Sequence, residues 1–142
     1  MVWTPDVNMD AALLIGRCLM ASLFLQSAVT KSMNSVEALD EVKSFGLPRS
    51  RVVLLPALAV QWIGAAGLIA GALTFWCAAA LLAFMIPTTF IAHGFWRYTG
   101  AARAHHVTGF FQNLTMSGGL VILMATGAGR WSVDGVLLVR SS

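Results

Sequence analysis

The chain has 142 residues, 58% of them hydrophobic and only 11% charged, with a formal net charge of +3 and a mean hydropathy of +0.77. Soluble domains carry roughly 25% charged residues, so the soluble globular class is excluded. The positive balance is no nucleic-acid footprint, because the basic residues stand at the ends of apolar runs and no RNA- or DNA-binding motif accompanies them.

The first apolar run covers about residues 11–32. Its N-terminal flank, MVWTPDVNMD, has no Lys or Arg, and Arg17 interrupts the run early, so it is expected to stay as a span rather than leave as a signal peptide. Arg17, Ala21, Phe24, Ala28 and Lys31 share one helix face. Arg17 either snorkels to the headgroups or turns inward to a carboxylate, a phosphate or another subunit. No acid lies inside a span, so its partners within the chain are limited to Asp6, Asp10 and Asp134. The expected partner is Asp134, another subunit or a lipid phosphate near the outer surface.

The long connection follows. SVEALDEVKSFGLP places Val36, Leu39, Val42 and Phe45 at threes among charged residues, then stops at Gly46 and Pro48. That spacing predicts a short amphipathic helix, about residues 35–45, lying in the interface plane.

The second run, about residues 52–72, opens 41 residues from Val52 to Ala92 without a charge or a histidine. One span needs ~20 residues, so this stretch holds two. Gln61, Gly64, Gly67 and Gly71 fall on one side of the helix, and Gly67–Gly71 is a GxxxG pair, so the glycines are read as a packing face. Gln61, near mid-membrane, needs a hydrogen-bond partner. A tight turn near Gly71–Thr74 leads into the third run, about residues 75–97, where Pro87 is expected to kink the helix. His93 comes near its exit. His105 and His106 are assigned to a polar loop, residues 98–107, and no third ligand stands at a metal spacing, so no metal site is expected. Cys18 and Cys77 are isolated and read as inert thiols.

The fourth run covers about residues 108–128 and contains FFQNLTMSGG. Gln112 and Asn113 enter one turn deep, at a depth shared with Gln26, Lys31 and His93, with Gln61 somewhat deeper. Together these form either mutual hydrogen-bond glue or a pocket for a polar headgroup. Asn113 is expected to face the bundle interior and bond with Gln61, His93 or Lys31. Gln112, turned 100° away, is the one to reach headgroups or a quinone ring. Gly118 and Gly119 are read as a packing face. Lys31, Lys43, Arg49, Arg51, Arg97 and Arg103 fall at one membrane side and Arg130 and Arg140 at the other, which places both termini outside the cytoplasm.

Four pieces in order resemble the DoxX family of small four-helix bacterial membrane proteins: IGRCLMASLFLQSAVTKS, LLPALAVQWIGAAGLIAGA, IAHGFW and GFFQNLTMSGGLVILMATGAGRWSVDG. The last is the most specific, with its Phe-x-Asn-Leu, Gly-Gly and Gly-Arg-x-Ser-x-Asp elements. The resemblance spans about residues 11–135. It implies an all-α, integral membrane four-helix bundle in the bacterial inner membrane, and a role as subunit or accessory of redox systems. The family includes a quinone-linked thiosulfate-oxidising subunit and an amine-dehydrogenase maturation protein. Quinone is therefore the implied cofactor. The chain departs from the family at Gln61, where many members carry glutamate, and at Gln112, where many carry lysine.

No nucleophile–base–acid set or phosphate loop occurs, so no catalytic residue is assigned. The leading expectation is a noncatalytic membrane subunit of a quinone-linked oxidoreductase or electron-transfer assembly. The alternative is a purely structural subunit that anchors or spaces a larger membrane complex. Either reading puts the chain in the lipid bilayer with other membrane subunits or copies of itself, and neither calls for nucleic acid. A small transporter is less favoured, since 142 residues make a thin bundle for a gated path.

Overall fold

The computed structural model describes residues 8–141, with side chains as far as residue 137. Four helices are long and apolar enough to cross a membrane: α1 (Met9–Met33), α3 (Arg51–Ala70), α4 (Thr74–Ala92) and α5 (Gly100–Thr126). The short α2 (Ser35–Ser44) joins α1 to α3, a 3-10 turn (Phe95–Arg97) precedes α5, and α6 (Val133–Ser141) closes the chain. The all-α membrane bundle is as the composition requires. Among the described residues, large apolar side chains such as Leu19, Ile63, Trp76 and Ile122 face outward, which only a lipid environment tolerates in such number.

Helix α1 packs chiefly on α3, α4 on α5, and the α3–α4 contact joins the two pairs. The shared core is built from Ala21, Phe24, Ala65, Leu68, Ala78, Leu81, Met85, Leu120 and Leu123. Fully buried alanines at 21, 65 and 78 let the backbones come close, the usual device where lipid supplies no hydrophobic drive between helices.

Helix ends follow local chemistry. Asn8 and Ser50 cap α1 and α3, their side chains accepting from the amides of Ala11 and Val52. At the other end of α3, Gly71 takes φ 64°, and the amides of Gly71 and Ala72 return to the carbonyls of Leu68 and Gly67 in a Schellman closure. Helix α4 runs through Pro87 without a break, and the Thr88 and Thr89 hydroxyls donate to the carbonyls of Phe84 and Met85, just after the Ala83 carbonyl that Pro87 leaves without its amide donor.

Two boundaries differ from expectation. Residues 100–107 are helical, so His105 and His106 sit on the first turns of α5 rather than in a loop. Their polarity hid the helix, yet Ala101, Ala102 and Ala104 are strong helix formers. Helix α6 was not foreseen, because its segment is too short to show a period.

Candidate functional site

Arg17 is fully buried, and it neither snorkels nor meets a carboxylate directly. Its Nη1 donates to the carbonyls of Leu68 (3.2 Å) and Ile69 (3.4 Å), and its Nη2 to that of Trp131 (2.6 Å). Leu68 and Ile69 carry last-turn carbonyls of α3, where a cation also meets the negative end of the helix dipole, and Trp131 lies in the segment just before α6. Asp134 serves the next helix: its two carboxylate oxygens accept from the amides of Leu73 and Thr74, both at 2.8 Å, at the start of α4. Asp134 thus stands next to Arg17 across the turn without bonding to it. At the same end Asp10 accepts from the amide and Nε of Arg130, each at 2.8 Å. Asp6 and the Arg140 side chain lie outside the described residues.

Burial opposes the charge on Asp134, but the amides of Thr74 and Leu73 and the nearby Arg17 outweigh it and hold its carboxyl below the usual range. A depressed folded-state pKa contributes stability that is present above the ordinary carboxylate value and lost as pH falls through the lowered one. Acid titration of the purified protein should therefore show a stability loss below about pH 4 that shrinks in Asp134→Asn, read by thermal melts along the pH series.

The cavity lies elsewhere. Lys31 follows Arg17 by fourteen residues on α1, about 21 Å along the axis, so the two basic groups serve opposite ends. At the Lys31 end a cavity of about 380 Å³ is lined by Gln26 and Lys31 of α1, Glu37 and Glu41 of α2, Gln61 of α3, His93 at the end of α4, and Asn113 of α5. Five of the seven polar residues singled out from the sequence thus gather around one space. Arg17 and Gln112 do not line it. Arg17 is held at the far end, and Gln112 is exposed on the outer side of α5, one 100° step from Asn113.

The cavity's polar groups are incompletely used. Gln61 is 1% exposed, and its Oε1 has no hydrogen-bond partner. His93 packs its ring over Gly109, where a Cβ would strike the imidazole, and its buried Nδ1 is also without a partner. The ring of His106, stacked on Tyr98 at 3.9 Å, lies 5.8 Å from that of His93. Lys31 Nζ pairs with Glu41 at 3.4 Å. Gln26 reaches only Thr30, at 3.4 Å. Asn113 borders the cavity, but no hydrogen bond joins its amide to Gln61, His93 or Lys31 among the described residues. The expected cross-helix bond is absent because the cavity separates the groups.

The glycines divide. A Cβ at Gly64 would lie 2.6 Å from Leu81 of α4, one at Gly67 would strike Cys77, one at Gly71 the Arg17 guanidinium, and one at Gly119 would lie 2.9 Å from Met20 Sδ. Gly118 meets nothing within 4 Å and sits on the exposed side of α5. It belongs to no packing face, because the single step from Gly119 turns it about 100° toward lipid. Glu37 and Glu41 were missed as site residues: α2 reads as a surface strip, although Glu37 and Glu41 are spaced i,i+4 on one face. No three His, Cys, Asp or Glu side chains gather as a metal centre would need, among the described residues.

The DoxX family profile matches residues 12–94, more than half of the chain, and the chain belongs to that family. The sequence is similar to Inner membrane protein YphA of Escherichia coli (strain K12), 25% identical over 122 residues that cover 86% of this chain and 87% of that protein. It is also similar to Inner membrane protein YqjF of the same organism, 27% identical over 128 residues, covering 90% and 93%. No solved structure matches.

Proposed function

We propose that this DoxX-family protein is a membrane subunit or accessory of a quinone-linked redox assembly, and that its own part is to hold the polar head of a quinone or quinol in the cavity at the Lys31 end. The observation that carries this reading is Gln61, a 1% exposed amide beside a cavity with its oxygen unpartnered. An unsatisfied buried polar group costs about 1–3 kcal/mol, so its retention is explained by a ligand that satisfies it. The cavity volume of about 380 Å³ lies within the ~300–1,000 Å³ typical of small-molecule sites. The family resemblance supports the redox setting. In this reading the chain's residues bind and orient the head.

The bacterial inner membrane is the setting its relatives point to, with termini on the non-cytoplasmic side by the basic-residue count. Alkaline phosphatase fused to the C-terminus should then be active and a fluorescent protein there dark. The opposite pair of results would reverse the orientation.

Gentle extraction followed by mass spectrometry of lipids and proteins tests the function itself. A quinone and a redox subunit are expected with the wild-type protein. Gln61→Leu is expected to cut the retained quinol, counted with the quinone it oxidises to during extraction, about tenfold while leaving the melting temperature equal or higher, since it removes an orphaned buried amide. A stoichiometric nonredox partner without quinone would establish the structural-spacer reading instead.

A further inference from the structure

Beside the polar cavity runs a second, apolar groove of about 480 Å³, bordered by Val42 of α2 and Phe45 at its C-terminal cap, Ala57 and Val60 of α3, and Ala83 and Ile91 of α4. The two spaces share Lys31, Ala38, Glu41, Phe84 and Thr88 as common walls, so they lie side by side next to α2. One space is rich in hydrogen-bonding side chains, and its neighbour adds none to the shared Lys31, Glu41 and Thr88.

The charges and valences of the polar space define its occupant further. Its charged groups are Lys31, Glu37 and Glu41, a sum of one positive and two negative, and Lys31 is already engaged by Glu41. A carboxylate or phosphate head entering here meets a net negative wall. The carboxylates accept hydrogen bonds only, and the Gln61 oxygen is an acceptor still without a donor. Asn113, by contrast, carries amide hydrogens that can donate. A hydroxyl answers both needs, donating to Gln61 and accepting from Asn113. A carbonyl only accepts and leaves Gln61 as it was.

We infer that the cavity and the groove are one two-part site for an uncharged amphiphile with a hydroxyl-bearing head and a single apolar tail. The head sits among Gln61, His93 and Asn113, and the tail lies in the groove between α3 and α4. This rests on the polar cavity being a ligand site, as proposed above. For a quinone-type ligand, it means that the reduced, hydroxylated head is preferred over the oxidised one.

The test uses the full-length protein in phospholipid nanodiscs, with affinities expressed per mole fraction of probe in the lipid. The probes are a decyl-tailed benzoquinone, the same molecule kept reduced with dithionite, the tail-less reduced head, and decyl phosphate. The reduced decyl probe is expected to bind at least about fivefold tighter than the oxidised one, the equivalent of one satisfied buried hydrogen bond. Ala57→Trp and Ala83→Trp, each checked for an unchanged melting temperature, should weaken the decyl probe severalfold and leave the tail-less head unaffected. Equal binding of oxidised and reduced probes overturns the hydroxyl preference and leaves the quinone reading standing. Indifference of the decyl probe to both folded groove variants overturns the two-part site. Displacement of the reduced probe by decyl phosphate overturns the uncharged head. Failure of every quinone and quinol probe to bind overturns this inference together with the proposed function.

Discussion

Replacing Arg17 with leucine is expected to lower the apparent melting temperature of the detergent-solubilised protein by roughly 6–12 °C. The guanidinium is fully buried and donates to three carbonyls on two segments distant in sequence, at Leu68, Ile69 and Trp131. Hydrogen bonds to charged groups contribute about 1.5–3 kcal/mol each, while burying the charge opposes them. A net loss of about 3 kcal/mol remains once those carbonyls are left unpaired, and each kcal/mol moves the melting point of a chain this size by about 2–4 °C. Arg17→Lys should recover only part of the loss, because an ammonium cannot fork to two sides. Gly71→Ala should be comparably harmful, since φ is 64° and the added methyl strikes the guanidinium and Ser132. The double variant Arg17→Leu with Gly71→Ala should fall short of the sum, because the first change removes one of the groups that the second collides with. Strict additivity would show that the two residues do not act on one contact.

Gly64→Val is expected to cost about 1–3 kcal/mol or to scramble the α3–α4 contact outright. A Cβ at Gly64 comes within 2.6–2.9 Å of three carbons of Leu81, which is itself fully buried and has nowhere to turn. Gly118→Ala is the contrast. It sits in an exposed helix interior with open space around it, so the change should leave stability alone or add up to about 1 kcal/mol through backbone entropy. Thermal melts of both variants in one detergent decide the matter. A Gly118→Ala protein as damaged as Gly64→Val would put that face of α5 against a partner.

The spans were legible because their signal is cumulative: 41 residues free of charge and histidine leave no other environment. The depth of Gln26, Lys31, Gln61, His93 and Asn113 was legible for a related reason, since position along a span fixes height in the membrane. Partners were harder. Asn113 turns inward and Gln112 outward as their 100° step and the polar Ser117 face suggested, but the expected bond from Asn113 to Gln61, His93 or Lys31 depends on how far the packed helices stand apart. Arg17 shows the deeper limit. Its search for a carboxylate partner was reasonable chemistry, but the actual acceptors are backbone carbonyls, which every residue carries and no sequence letter marks. The only local trace was Gly71, whose left-handed conformation leaves room for the guanidinium. Glu37 and Glu41 escaped because an amphipathic strip on the membrane surface explains its own charges without any site beneath it.

The contacts at Arg17 and Asp134 also impose an order on how the protein is made. Helix α1 leaves the ribosome with its arginine long before Trp131 and Asp134 exist, and the α3–α4 hairpin follows with the first amides of α4 not yet capped by the Asp134 carboxylate. Arg17 can reach Leu68 and Ile69 once α3 is made, but its bond to Trp131 and the Asp134 cap wait for the segment after α5. A product that stops before residue 131 therefore leaves one arm of the Arg17 guanidinium without its carbonyl, a costly state for a cation inside a membrane span. Closing that contact ties the first span to the segment that follows α5.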